Sequence, residues 1–155
     1  MSDKFVPVTG GCLCEAVRYE ADVNLREAFY CHCKTCQKTS GAPAEVGVMA
    51  KQGTLKFTKE DPKYFQSSPI GRRGFCEKCG SRLTWISPDR ADWTVVFAGS
   101  LDHPERVVPT EHISVESQLP WYEIADNLPR NRTEDDAELK EAWASAGLTH
   151  EGTPL

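Results

Sequence analysis

The segment CHCKTC, residues 31–36, places three cysteines within six positions of the chain. Two further cysteine groups flank it, in GGCLC at residues 10–14 and in CEKCG at residues 76–80. A Cys-x-x-Cys pair followed by glycine is typical of a zinc knuckle, because a tight turn directs two sulfurs at one ion. The seven cysteines therefore predict metal binding rather than a disulfide framework, because a framework of paired cysteines would not explain their odd number.

The spacing allows two divisions of the seven sulfurs. Either Cys12 and Cys14 join Cys76 and Cys79, or two cysteines of residues 31–36 join that last pair. The second division leaves Cys12 and Cys14 as a separate pair and one cysteine of residues 31–36 without a partner. The first leaves three thiolates in a single loop, which can converge on one ion and keep its fourth position open, as catalytic zinc sites do. We therefore favour a closed four-cysteine site and an open three-cysteine site.

Competing interpretations of the cysteines are weaker. Cys12 and Cys14 taken alone could be small buried hydrophobes. The Cys33-x-x-Cys36 spacing also occurs in dithiol oxidoreductases, but there it belongs to a βαβ unit, and the sequence shows no such pattern. Zinc deaminases carry proline directly before their Cys-x-x-Cys pair, whereas Phe75 precedes Cys76 here. The sequence also allows an iron–sulfur cluster bound by four of the cysteines.

The bulk composition excludes several classes of partner. The chain has 155 residues and a net charge of −5, which argues against nucleic acid as a partner. No apolar run approaches the ~20 residues of a membrane span. Residues 1–10 do not form a signal peptide, so we expect a cytoplasmic protein that binds no membrane. In a reducing compartment, clustered cysteines are more often metal ligands than disulfides.

Alternation of apolar and polar residues predicts strands. Apolar side chains recur at every second position in short segments separated by turn residues. These side chains are Val17 and Tyr19, Leu55 and Phe57, Leu83 and Trp85, Trp93, Val95 and Phe97, and Ile113 and Val115. Without helical segments between them, such strands favour an all-β sandwich-like or barrel-like core of short antiparallel strands.

One helix is expected, near the C-terminus. Thr133 is a candidate N-cap, Leu139 and Trp143 recur at helical spacing, and Gly147 is a plausible stop. We therefore divide the chain into a zinc-binding domain at residues 1–128 and a C-terminal helical extension at residues 129–155. The extension packs on that domain or trails it, and its last residues, 149–155, are expected to fray.

The ordered motifs resemble one known family. Besides the three cysteine groups, GSLD at residues 99–102, EHI at residues 111–113 and Trp121 are similar to the glutathione-dependent formaldehyde-activating (GFA) family. The resemblance spans residues 8–125. It implies an all-β fold often described as a β-tent, and an enzyme that condenses formaldehyde with glutathione to S-hydroxymethylglutathione, a carbon–sulfur lyase.

The resemblance also implies two zinc ions. By this analogy a structural ion is held by Cys12, Cys14, Cys76 and Cys79, and a catalytic ion by Cys31, Cys33 and Cys36. Three thiolates make zinc a weak Lewis acid but leave it able to accept a soft sulfur as thiolate. We therefore expect glutathione and a small aldehyde as partners. The alternative is a non-catalytic zinc module that binds glutathione or a protein partner.

An anionic tripeptide needs cations near the open site. Lys34 lies inside the three-cysteine segment, and Arg72 and Arg73 precede the Cys76 knuckle. These three residues are the predicted glutathione contacts, Arg72 and Arg73 more so because a guanidinium binds carboxylates in a bidentate manner. Arg82 is a weaker candidate.

Other polar and aromatic residues have competing roles. His32 could donate a proton near the metal, but strand alternation favours a side chain that points away from it. Asp102 is a weak site candidate that more plausibly belongs to a turn. His112 either lines a pocket or packs within its strand. Trp85, Trp93 and Trp121 are expected in the core, and one of them could form a pocket wall.

Overall fold

A computed structural model describes residues 4–90 and 92–147. Within these ranges the chain forms ten strands, two α-helices and several 3₁₀ turns. The strands are β1 (Val6–Gly11), β2 (Arg18–Cys31), β3 (Glu45–Ala50), β4 (Lys56–Phe57), β5 (Lys63–Ser68), β6 (Gly71–Phe75), β7 (Arg82–Ile86), β8 (Thr94–Phe97), β9 (Pro109–Ile113) and β10 (Arg130–Asn131). The helices are α1 (Lys34–Ser40) and α2 (Ala137–Ser145). The mainly β class with a C-terminal helix is confirmed.

The long strand β2 organises the sheet. Its first half pairs with β1 and β4, and its second half pairs with β3 and β9. The main path of the sheet runs β10-β9-β2-β3-β8-β7-β6-β5. Most pairs are antiparallel, as expected for short turns, but β9 is parallel to both β2 and β10. This topology carries Cys31, at the end of β2, to the middle of the sheet.

Alternation along the central strands separates a core face from a second face. Ala28, Val48 and Val96 are fully buried in the hydrophobic core, where each large aliphatic side chain contributes about 1.5–3 kcal/mol. Their neighbours Phe29, Met49 and Val95 point to the opposite face, because successive strand residues face opposite ways. The second face carries the cavity described below.

Some local predictions are confirmed and others are wrong. Leu83 and Trp85 lie in β7, and Val95 and Phe97 lie in β8. Val115, however, lies in a 3₁₀ turn, because Ser114 adopts a left-handed conformation (φ 55°) that ends β9. Helix α1 was not expected, since its sequence KTCQKTS lacks apolar periodicity.

The C-terminal helix begins later than predicted. Thr133 is wrong as its N-cap, because the Thr133 hydroxyl is buried against Ser114 within a 3₁₀ turn. Asp136 caps α2 instead, accepting a hydrogen bond from the Leu139 amide at 3.0 Å. Gly147 follows the helix with a φ of 69°, the left-handed conformation that ends helices. The expected fraying of residues 149–155 concerns positions outside the described residues. The helices of the described part of the chain are too short or too polar to cross a membrane.

Asp102 has a structural role that can be tested by pH. Its carboxylate accepts hydrogen bonds from both terminal nitrogens of Arg18 and from the Thr9 hydroxyl, which lowers its pKa to about 2. A lowered carboxyl pKa stabilises the fold fully above the unfolded value of 3.8 and less as the pH falls towards 2. Asp102→Asn should therefore cost about 1 kcal/mol, reduced by solvent screening, with no pH dependence between about 5.5 and 8.

Urea unfolding of the single variants and of the Arg18→Met/Asp102→Asn pair measures this coupling. Because the ion pair is partly exposed, high salt should reduce the difference between wild type and Asp102→Asn. A loss that grew steadily from pH 5.5 to 8 would contradict the assigned pKa.

Candidate metal centres

One group of four sulfurs joins two distant turns. The Sγ atoms of Cys12, Cys14, Cys76 and Cys79 lie within 4.8 Å of one another. The Cys12–Cys14 and Cys14–Cys76 sulfur pairs are 3.6 and 3.8 Å apart. Cys12 and Cys76 are buried, whereas Cys14 is exposed at the surface. This cluster links the turn after β1 to the turn between β6 and β7.

Backbone geometry explains why these turns present their sulfurs. The Gly80 amide donates to the Cys76 carbonyl at 2.8 Å, and Gly80 has a φ of 75°, which a side chain would disfavour. On the other side, the Val17 amide donates to the Cys12 sulfur at 3.2 Å. The Leu13 amide donates to the Ser81 hydroxyl at 3.0 Å and ties the two turns together.

A second group of three sulfurs lies where β2 gives way to α1. Cys31 ends β2, Cys33 is the N-cap of α1, and Cys36 lies in its first turn. The Cys33 sulfur accepts a hydrogen bond from the Cys36 amide at 3.3 Å and lies 3.4 Å from the Cys31 sulfur. Hydrogen bonds from Cys31 and then Cys36 hold the pKa of the Cys33 thiol well below its usual range, although burial opposes them. The contact with Cys33 in turn raises the pKa of the Cys31 thiol, so the first negative charge of the group lies on Cys33.

Both groups fit a tetrahedral thiophilic ion. Zinc–sulfur bonds of about 2.3 Å place the sulfurs of a tetrahedral site about 3.8 Å apart. The observed separations of 3.4, 3.6 and 3.8 Å agree with that geometry. Two cysteine clusters, one of four and one of three, could therefore bind metal, and the division matches the one expected from spacing.

A chain of polar side chains, buried at its two histidines, supports the three-cysteine segment. His32 is fully buried, and its Nε2 lies 2.9 Å from Nδ1 of His112. Nε2 of His112 lies 3.0 Å from Asp126, which in turn pairs with Arg130 at 3.1 Å. Burial and the neighbouring His112 lower the pKa of His32 to about 4, so His32 is neutral near pH 7. His32 therefore points away from the three sulfurs, and together with its partners it positions the segment.

Two arginines approach Cys36 from β6 and β7. Arg73 is buried, its guanidinium lies 3.5 Å from the Cys36 sulfur, and it also donates to the Ser67 hydroxyl. The Nε of Arg73 is buried without a hydrogen-bond partner among the described residues. Arg82 pairs with Glu45 at 2.8 Å. Burial raises the pKa of Glu45 to about 8, although the charge of Arg82 opposes this shift.

The three cysteines open into a cavity of about 570 Å³. This volume is typical of small-molecule sites, which span about 300–1,000 Å³. Cys31, Cys33 and Cys36 all contribute to its lining, together with Arg73 and Glu45. The four-cysteine cluster does not belong to that lining. The geometry therefore separates a four-sulfur cluster outside the cavity from a three-sulfur cluster that faces it.

The three residues predicted to contact glutathione differ in their position relative to the cavity. Arg73 lines the cavity beside Cys36. Arg72 is exposed on the opposite face of β6, where its guanidinium lies 4.3 Å from the centre of the Tyr64 ring. Lys34, the first residue of α1, is exposed, and the lining of this cavity in the described structure includes its neighbour Thr35 instead.

The predicted tryptophans fall into two groups, those that line the cavity and one that is exposed to solvent. Trp85 and Trp93 line the cavity with ring centres 6.3 Å apart, so more than one tryptophan forms its wall. The expectation of a core position is wrong for Trp121, which is 71% exposed. The side chain of His112 is buried on the face of β9 away from the cavity, while its neighbours Glu111 and Ile113 line the cavity.

Sequence reasoning missed Glu45 and the pairing of His32 with His112. Glu45 carries no motif, and its place is set by the register in which it opposes Cys31. The two histidines meet because β9 runs parallel to β2. The sequence offered both histidines beside the recognised motifs, but no signal for their pairing.

Comparison with known proteins gives a consistent result. The sequence profile described as glutathione-dependent formaldehyde-activating enzyme matches residues 7–117. A protein of Halomonas elongata named "Putative glutathione-dependent formaldehyde-activating enzyme" is 30% identical over 128 residues, covering 74% of this chain and 79% of its own. A crystal structure of a Rhodobacter sphaeroides protein has a TM-score of 0.52 at 20% identity, over 61% of this chain and 87% of its own, and shares the fold. The chain therefore belongs to the glutathione-dependent formaldehyde-activating (GFA) family.

Proposed function

We propose that the protein is a zinc-dependent carbon–sulfur lyase that joins the glutathione thiolate to formaldehyde or a related small aldehyde. The observation that carries the proposal is the contrast between the two clusters. Four sulfurs would complete the shell of a structural ion, whereas three sulfurs at a cavity wall would leave one position for a substrate. Zinc bound by Cys31, Cys33 and Cys36 would supply a centre that keeps an incoming glutathione sulfur as thiolate.

The reaction needs no oxidant or reductant. The glutathione sulfur forms a bond to the aldehyde carbon, the π electrons of the carbonyl move to oxygen, and that oxygen takes up the proton given up by the thiol. The product is a hydroxyalkyl thioether, which for formaldehyde is S-hydroxymethylglutathione. The protein has to orient sulfur and carbonyl and to stabilise the charge that develops on oxygen.

Among the predicted contacts, Arg73 is best placed for this task. Its buried guanidinium is fixed by Ser67 and Cys36, and its unpartnered Nε can donate to an oxygen of glutathione or of the aldehyde. A donor that is already desolvated and oriented stabilises developing charge without reorganisation. Arg72, on the opposite face of the strand, lacks this access.

The test measures the exchange of formaldehyde into its glutathione adduct by NMR against the uncatalysed reaction. Wild-type protein loaded with zinc should exceed the background at least tenfold. Arg73→Met should lower kcat/KM by about 10- to 100-fold, because a hydrogen bond to a charged group contributes about 1.5–3 kcal/mol.

Arg72→Met is the matched control, since it removes the same charge from the same strand and should change kcat/KM less than twofold. Circular dichroism and zinc content verify that both variants are folded and loaded. Zinc-loaded protein that binds glutathione without accelerating the exchange would instead favour a non-catalytic binding module.

A further inference from the structure

The C-terminal segment forms one wall of the cavity that holds the three cysteines. Leu139 and Trp143 of α2 line this space, together with Thr133 in the preceding 3₁₀ turn. The residues that match the family end at position 117. This wall is therefore built by a part of the chain outside the family match, and it faces the site that the family match shares.

Several contacts hold α2 in place over the cavity. Thr133 and Ser114 share a buried hydrogen bond of 2.9 Å. Glu138 pairs with Arg90 at 2.8 Å, and the Arg90 guanidinium lies 4.1 Å from the centre of the Trp93 ring. Because Trp93 also lines the cavity, Arg90 links that part of the lining to α2. These contacts place α2 beside the binding space.

The chemistry of the lining argues for an apolar ligand group. The aromatic pair Trp85 and Trp93 shares the lining with the half-buried side chains of Leu139 and Trp143. A one-carbon aldehyde has no apolar body with which to cover these side chains. Arg73 is the cation of the described lining; its terminal nitrogens contact Ser67 and Cys36, and Nε is the donor left for a substrate oxygen. The apolar part of the cavity therefore offers little to the carboxylates of glutathione.

We propose that the aldehyde substrate carries an aromatic or branched apolar body, held between the Trp85–Trp93 pair and Leu139 and Trp143 of α2, with its carbonyl towards the three cysteines. The inference rests on the proposed function and specifies its substrate class. Glutathione sulfur bonds to the carbonyl carbon, the carbonyl π electrons move to oxygen, and oxygen takes the thiol proton. The product is a hemithioacetal.

Phenylacetaldehyde and formaldehyde are the probes, each tested with glutathione on zinc-loaded protein. Wild type should show a kcat/KM for phenylacetaldehyde at least tenfold above that for formaldehyde, relative to each uncatalysed rate. Leu139→Ala and Trp143→Ala should each lower the phenylacetaldehyde value by about 10- to 100-fold, because apolar pocket contacts discriminate on that scale. Their formaldehyde values should change less than threefold. Lys140→Ala, an exposed change on the same helix, should change neither.

A binding measurement separates this inference from the function on which it rests. Calorimetry with 2-phenylethanol, which has the same carbon skeleton without a reactive carbonyl, should show binding to wild type and to Lys140→Ala, weakened about tenfold or more in Leu139→Ala and Trp143→Ala. Failure of 2-phenylethanol to bind wild type, or equal rates for the two aldehydes in every form, overturns the inference. Binding as expected with neither aldehyde turned over contradicts the proposed function and leaves the apolar site standing.

Discussion

Cys33→Ser should lower the rate of adduct formation at least a thousandfold and reduce bound zinc from two ions per chain to one. The loss is large because the variant removes a ligand from the three-cysteine cluster, where we place the chemistry. Catalytic metal centres lower the activation barrier by several kcal/mol, and a thousandfold change in rate corresponds to about 4 kcal/mol. Elemental analysis of the purified variant and exchange NMR measure the two effects separately.

The variant should stay folded, for a local reason. Cys33 caps α1 through its sulfur, which accepts a hydrogen bond from the Cys36 amide at 3.3 Å. Serine is among the best N-cap residues and can accept the same bond through its hydroxyl. The support from His32, His112 and Asp126 is untouched. The melting temperature should therefore fall by only a few degrees.

Full activity of Cys33→Ser with one zinc ion would refute a catalytic three-cysteine site. Loss of both ions, or unfolding, would show that the two clusters are not independent. Lys38→Ala in the same helix, which changes an exposed side chain, should leave zinc content and rate unchanged.

The division of the cysteines could be predicted because it depends on local spacing. Three thiols within six residues share a loop whatever the fold, and the remaining Cys-x-Cys and Cys-x-x-Cys pairs complete each other. Most strands with clear alternation were predictable for the same reason, since a period of two requires no knowledge of distant partners.

Which side chain of a pair faces the site was not predictable. A strand containing Arg72 and Arg73 presents one of them to each face, and the choice depends on the register of β6 against β5 and β7. Glu45 lies near the cysteines for a similar reason, because β3 pairs with β2 so that Glu45 opposes Cys31. Such register is set by tertiary contacts, and the sequence pattern carries no signal for it.

The opposite outcome is expected at the other cluster. Cys76→Ser should remove the structural ion and lower the melting temperature by 10 °C or more, or prevent folding at 37 °C. Cys76 is buried, and its sulfur lies 3.8 Å from that of Cys14, although the two residues are 62 positions apart in the chain. Structural zinc contributes about 10–16 kcal/mol in small zinc domains, comparable with the 5–15 kcal/mol that stabilises a whole domain.

The same argument predicts the effect of metal removal. A strong chelator should first abolish activity, because three thiolates hold an ion less tightly than four, and should unfold the protein only when the second ion leaves. Glu77→Gln, an exposed change between Cys76 and Cys79, is the matched control and should melt within about 2 °C of wild type. A Cys76→Ser protein as stable as wild type would mean that β1 and β6 are held together by Leu13, Ser81 and core packing alone. In that case the four sulfurs would not bind a structural ion.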